Sequence, residues 1–201
     1  YTVWIGYFDE WLSSAEQEVL LNAKIFLDFR CGFGSEELAD KLRDAVTEQG
    51  QKRKFFLNHL AKDSLAISPP LSFFRNFIVE SGGDHKNRLD LKMRGLVHVV
   101  DFARAMALKH GIRETNTTER LLALQADGHV PREICSEVLD AYHFLMHLRL
   151  VHQLRMIHHG EDPHNYVDPA DLSDLEKQTL KGAFRVIRRM QTHMARVRVE
   201  I

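Results

Sequence analysis

Apolar residues recur at intervals of three and four along almost the whole chain, the spacing of helices that bury one face, and no alternating runs of the kind that make strands appear. Trp4, Tyr7, Phe8, Trp11 and Leu12 share one face of a predicted first helix. Ser13-Ser14 offer cap chemistry for a second helix reaching about Arg30, which Gly32 and Gly34 end. Ser35 ahead of Glu36 and Glu37 puts a capping hydroxyl and two acids at the positive end of a helix dipole. That helix is expected to run to Gly50, and another from about Gln51 to Leu65. Ser68-Pro69-Pro70 breaks the pattern. Leu71, Phe73, Phe74 and Phe77 then predict a buried elbow before the loop Ser81-Gly82-Gly83-Asp84.

From Leu89 to His110 the pattern is apolar on nearly all sides, which predicts a central helix stopped by Gly111. Asn116-Thr117-Thr118-Glu119 and Ser173-Asp174-Leu175-Glu176 both have the spacing of a capping box, one opening a helix that ends near Gly128 and the other the final helix. Between them Pro131 suits the start of a long helix to Gly160. Leu180, Ala183, Phe184, Ile187, Met190, Met194 and Val197 give the last helix its buried stripe. No fixed-period repeat occurs, so a solenoid is not expected. The expectation is an all-α fold, a multi-helix bundle or array.

Charge changes little in this picture. Basic residues number 27 and acidic residues 28, so no one-sided field points to nucleic acid or to an anionic membrane. The terminal-helix arginines Arg185, Arg188, Arg189, Arg196 and Arg198 read better as a solvated face than as a nucleic-acid track, because no aromatic residues interleave with them. Cys31 and Cys135 are far apart and show no metal-ligand or disulfide spacing, which fits a reducing, cytoplasmic setting. Apolar runs are too short and too interrupted to span a membrane. The absence of an initiator Met gives the expectation that the chain begins within a longer protein.

Candidate chemistry is sparse. Cys31-Gly32-Phe33-Gly34 and Ser81-Gly82-Gly83 match neither phosphate-loop fingerprint. His143 and His147 lie four apart on a helix, as zinc ligands often do, but Phe144 stands where a metalloprotease needs Glu, and no metal site is expected. No catalytic residue is assigned. More informative are polar groups inside apolar helices: Asp90, Arg94, His98, Asp101 and Arg104 on the central helix, and Arg149, His152 and Gln153 on the long one. They read either as internal pairs tying helices together or as the wall of a ligand cleft. In the second reading Lys92, Arg94 and Arg149 would hold phosphate or carboxylate groups, while His152 and Gln153 orient a polar partner.

Six segments carry a resemblance: Ile25-Phe26-Leu27-Asp28-Phe29-Arg30, Pro69-Pro70-Leu71-Ser72-Phe73-Phe74, Leu89-Asp90-Leu91-Lys92-Met93-Arg94-Gly95-Leu96, Asn116-Thr117-Thr118-Glu119-Arg120-Leu121, Leu148-Arg149-Leu150-Val151-His152-Gln153 and Asp171-Leu172-Ser173-Asp174-Leu175-Glu176. In that order they resemble the C-terminal helical substrate-binding domain of bacterial nucleotidyltransferases related to the uridylyltransferase of the nitrogen-signalling PII protein. The resemblance implies a preceding catalytic domain of polymerase-β-like fold, in which a Gly-Ser motif with an Asp-x-Asp pair would hold magnesium and a nucleoside triphosphate. CBS and cyclic-nucleotide-binding-like domains often accompany it, implying ligand regulation and signal transduction.

That paired motif is absent here, so the chain alone is not expected to transfer nucleotides, and it needs no cofactor of its own. Residues 1–34 are expected to link to the catalytic domain, with Asp28 and Arg30 facing it, and 35–201 to form the substrate-binding domain. The implied partners are that upstream domain and a nucleotide or acceptor substrate at Lys92, Arg94, Arg149, His152 and Gln153. The alternative is a regulatory or dimerising helical bundle, a homodimer formed through the aromatic N-terminal face.

Overall fold

The computed structural model describes residues 1–14, 16–72 and 76–198. The described residues form α1 (Thr2–Ser13), α2 (Gln17–Phe26), α3 (Glu36–Lys52), α4 (Lys54–Ala66), α5 (Val97–Lys109), α6 (Thr117–Ala126), α7 (Arg132–His158) and α8 (Asp174–Arg198). Two two-residue strands, β1 (Leu89–Asp90) and β2 (Tyr166–Val167), pair antiparallel, with Leu89 opposite Val167 and Asp90 opposite Tyr166. The fold is all-α, and this β clip is its only sheet among the described residues. No helix among them is long and apolar enough to cross a membrane.

The centre is α5, whose Val99, Phe102, Ala103 and Met106 are buried against α3, α4, α6 and α8. Burial of a side chain such as Phe102 or Phe184 contributes about 1.5–3 kcal/mol, so the stripe on α8 is enough to fix that helix on α7 and α5. On α1, Phe8 and Leu12 turn inward, while Trp4 and Tyr7 remain substantially exposed. Three of the predicted caps form, at α3, α6 and α8. Ser35 accepts from the Leu38 amide, and Asn116 from the amides of Thr118 and Glu119. At α8 the box closes reciprocally: Glu176 N donates to Ser173 Oγ at 3.2 Å and Ser173 N to Glu176 Oε2 at 2.8 Å. Gly34-Ser35, the chain's Gly-Ser pair, is therefore a helix start.

Four boundaries differ from expectation. First, α2 begins at Gln17 with no side-chain cap, because Ser14 Oγ accepts from the nearby Glu16 amide instead. Second, it ends at Phe26, short of Arg30, and the turn that follows buries Leu27 and directs Asp28 toward Arg104 and Arg120. Third, Gly50 does not end α3, which continues to Lys52. A Cβ at Gly50 would stand 2.5 Å from Leu108 Cδ1, so this glycine lets α5 approach α3 closely. Fourth, the central helix does not begin at Leu89: β1 comes first, then a π-helical turn over Lys92–Leu96, and α5 proper starts at Val97. The amides at that start are satisfied from outside the helix. Asp90 Oδ1 accepts from Lys92 N and Met93 N, both at 2.9 Å, and the Asn165 carbonyl accepts from Leu91 N at 3.0 Å.

At the predicted elbow Leu71 is buried and bridges Phe77, which packs edge-on against Phe184. Phe73 and Phe74 lie outside the described residues.

Candidate functional site

A groove of 640 Å³ opens where α2, the π-helical turn, α5 and α7 meet. Its apolar wall includes Ile25, Met93, Val97, Val100, Tyr142 and Met146, and its charged groups are Lys24, Lys92, Asp101, Arg104 and Arg149. The π-helical turn contributes directly, since it carries Lys92, Met93 and Leu96 onto the groove. Such turns recur at functional sites because they displace side chains from regular helical register.

The charged groups divide into two kinds. Lys24 lies 2.8 Å from Asp63 and 3.4 Å from Asp101. Arg104 binds Asp101 at 2.8 Å and Asp28 at 2.6 Å, and Arg120 reaches Asp28 at 2.7 Å. Three cations thus meet three carboxylates in a largely buried network joining α4, α5 and α6 to α2 and the turn after it. Burial lowers the Arg120 pKa, against the attraction of Asp28. Lys92 and Arg149, by contrast, have no carboxylate within ion-pair distance among the described residues. Arg149 is held by a neutral group, donating from Nε to Asn165 Oδ1 at 2.6 Å. The groove therefore keeps two positive charges that no carboxylate among the described residues neutralises.

Its one carboxylate, Asp101, is engaged by Lys24 and Arg104, so it is poorly placed to serve a divalent cation. Nor do three or more His, Cys, Asp or Glu side chains gather as a metal site among the described residues. The helix dipole is not free for an anion either, because Asp90 occupies the first amides of the π-helical turn.

Of the residues read from sequence as substrate contacts, the structure brings Lys92 and Arg149 to this groove. Arg94 pairs with Glu80 at 3.6 Å and does not line it. Gln153 donates to the same Asn165 oxygen as Arg149, at 3.3 Å, and so stands behind the groove. His152 belongs to a neighbouring aromatic group with His85, His164 and Tyr166, its ring 5.4 Å from His164. Burial, then the positive charge that His164 can carry, lowers the His152 pKa. His164 is lowered by burial and by Arg88, whose guanidinium donates to Nε2 at 3.0 Å while the Tyr166 amide faces Nδ1. Of the two residues expected to face another domain, Arg30 is exposed, and Asp28 is committed within the chain to Arg104 and Arg120.

The basic face of α8 is partly consumed as well. Arg188 donates to the Leu71 carbonyl at 3.0 Å and Arg189 pairs with Glu137, while the Arg198 side chain lies outside the described residues. Cys135 is fully buried, and burial pushes its thiol up to about 11, which makes it a poor nucleophile. Asn165, which holds the groove's Arg149, is the residue that sequence reasoning missed. It lies in an irregular loop, and its role comes from contacts with positions 91 and 149, which no local pattern reveals.

Comparison with known families gives one match: the family described as "Putative nucleotidyltransferase substrate binding domain" covers residues 54–197. No curated protein and no solved structure matches the chain. The match contains α4 to α8 almost entire, with both groove cations and Asn165, and the chain belongs to this family of nucleotidyltransferase substrate-binding domains.

Proposed function

We propose that the groove between α2, α5 and α7 is the substrate seat of this nucleotidyltransferase domain, with Lys92 and Arg149 as the contacts to an anionic group. The observation that carries the reading is the unneutralised pair of cations beside a network in which every other groove charge is balanced. Arginine and lysine bind phosphate and carboxylate oxygens through charge-assisted hydrogen bonds. The apolar wall of Met93, Tyr142 and Met146 would take the body of a nucleotide or acceptor.

Nucleotidyl transfer needs metal ions to neutralise the developing phosphate charge, and magnesium with the nucleoside triphosphate would be supplied by a catalytic domain carrying Gly-Ser and Asp-x-Asp. This chain's role is to bind and orient. Exposed Arg30 is the proposed contact to that domain.

The test is calorimetric titration of the protein with ATP, UTP and inorganic pyrophosphate. Lys92→Ala and Arg149→Ala are each expected to weaken binding about tenfold, the scale of one charge-assisted contact. Binding that neither substitution changes would remove the groove from substrate recognition.

A further inference from the structure

We infer that Asn165 is a positioning residue of the groove, holding Arg149 by its Nε so that the terminal guanidinium donors stay free for a phosphoryl anion. This rests on the groove being the substrate seat.

The geometry has three parts. Arg149 Nε can only donate, so the Asn165 atom 2.6 Å away is its amide oxygen, and the Gln153 amide donates to the same oxygen at 3.3 Å. The backbone of Asn165 is itself fixed, because its carbonyl accepts from Leu91 N and the next two residues pair with β1. The same Leu91 immediately precedes the π-helical turn that carries Lys92. One loop residue therefore sets both cations: Lys92 through the backbone and Arg149 through the side chain.

The chemical identity of the holder matters. An aspartate here would accept the same hydrogen bond with matching shape, but it would also place a negative charge against Arg149 and compete with any incoming anion. An amide orients the guanidinium without discharging it. Only part of the donor fork is spent, which leaves the Nη groups for bidentate contact with phosphoryl oxygens. An apolar wall beside two such cations suits an amphiphilic phosphoryl compound, a nucleotide more than free pyrophosphate.

Asn165→Asp and Asn165→Ala together separate positioning from structure. A merely structural asparagine would show in Asn165→Ala as a lower melting temperature with ATP affinity unchanged, while Asn165→Asp asks whether the holder must be uncharged. In Asn165→Asp a positioning residue would leave the melting temperature unchanged or higher, while ATP affinity falls about tenfold. Asn165→Ala is the second variant. It is expected to weaken ATP binding without abolishing it, since Arg149 keeps its charge but loses its orientation.

The arms with ATP and with inorganic pyrophosphate distinguish a nucleotide seat from a bare phosphate site. Tighter binding of ATP supports the apolar wall's part, and equal binding overturns it. If the unaltered protein binds neither, the groove reading and this inference fall together. If it binds ATP, and Lys92→Ala and Arg149→Ala weaken that binding while Asn165→Ala does not, the positioning role alone is overturned.

Discussion

The network around Asp101 and the mouth of the groove lie side by side yet treat charge in opposite ways. In the network, Lys24, Arg104 and Arg120 each meet a carboxylate, and these side chains are largely withdrawn from water. At the mouth, Lys92 is exposed and Arg149 is steadied by a neutral amide. Burying an uncompensated charge is costly, so the first arrangement is what a folded interior requires. The second is tolerated because both cations still reach solvent. Pairing, more than position on a helix, separates charges that hold helices together from charges left for a ligand. Arg104 and Arg149 both line the groove, and only their partners tell them apart.

The largest way to break the contrast is to unbalance the network. Asp101→Asn keeps the side chain's shape but withdraws one carboxylate from both Lys24 and Arg104. Each cation retains a second partner, Asp63 or Asp28, which limits the loss. Chemical unfolding is expected to show about 2–3 kcal/mol of destabilisation, below the cost of stripping a buried charge completely. ATP binding at the groove should be unchanged or tighter, because the variant adds net positive charge there. Weaker binding would place Asp101 on the ligand side of the division.

Both kinds of charge were visible in the sequence as polar positions in apolar helices, but not which kind each was. Periodicity gave the all-α fold, and the boxes at Asn116 and Ser173 gave two helix starts, because those signals are read within four residues. The π-helical turn at Lys92–Leu96 was invisible to such a reading: it depends on Leu91 bonding to Asn165, far along the chain. The assignment of Asp28 to an interface failed to anticipate Arg104 and Arg120 for the same reason. Two-residue strands carry too little pattern to be predicted, though here their pairing holds the Asn165 loop against the segment before the π-helical turn.

Acidification sharpens the comparison further, because it acts on histidines whose pKa the fold lowers. His110, stacked on His129, has its pKa lowered from 6.5 to about 4 by burial and then by the charges of His129 and Lys109. The folded state resists protonation that the unfolded chain accepts, so stability is complete above pH 6.5. It declines as pH falls from there towards about 4 and flattens below. His98, His152 and His164, also lowered, act in the same direction. Melting temperature followed across this window should fall with pH. ATP affinity per folded molecule should stay level until the phosphate itself gains a proton, and an early loss would implicate a histidine in the seat.

The smallest effect is expected at Arg94, which shares the π-helical turn with Lys92 but sits with Glu80 outside the groove. Both side chains of that pair are more than a third exposed, and at 3.6 Å the ion pair is loose. Screening by water leaves such pairs worth well under about 1 kcal/mol. Arg94→Ala should therefore change unfolding stability by about 0.5 kcal/mol or less. ATP affinity should change by less than about twofold, since a cation already paired and outside the groove offers only screened, long-range attraction. Set beside Lys92→Ala, two residues away, this is a stringent comparison. Equal losses at both positions would show that net charge near the turn, and not an oriented pair of contacts, draws the anion in.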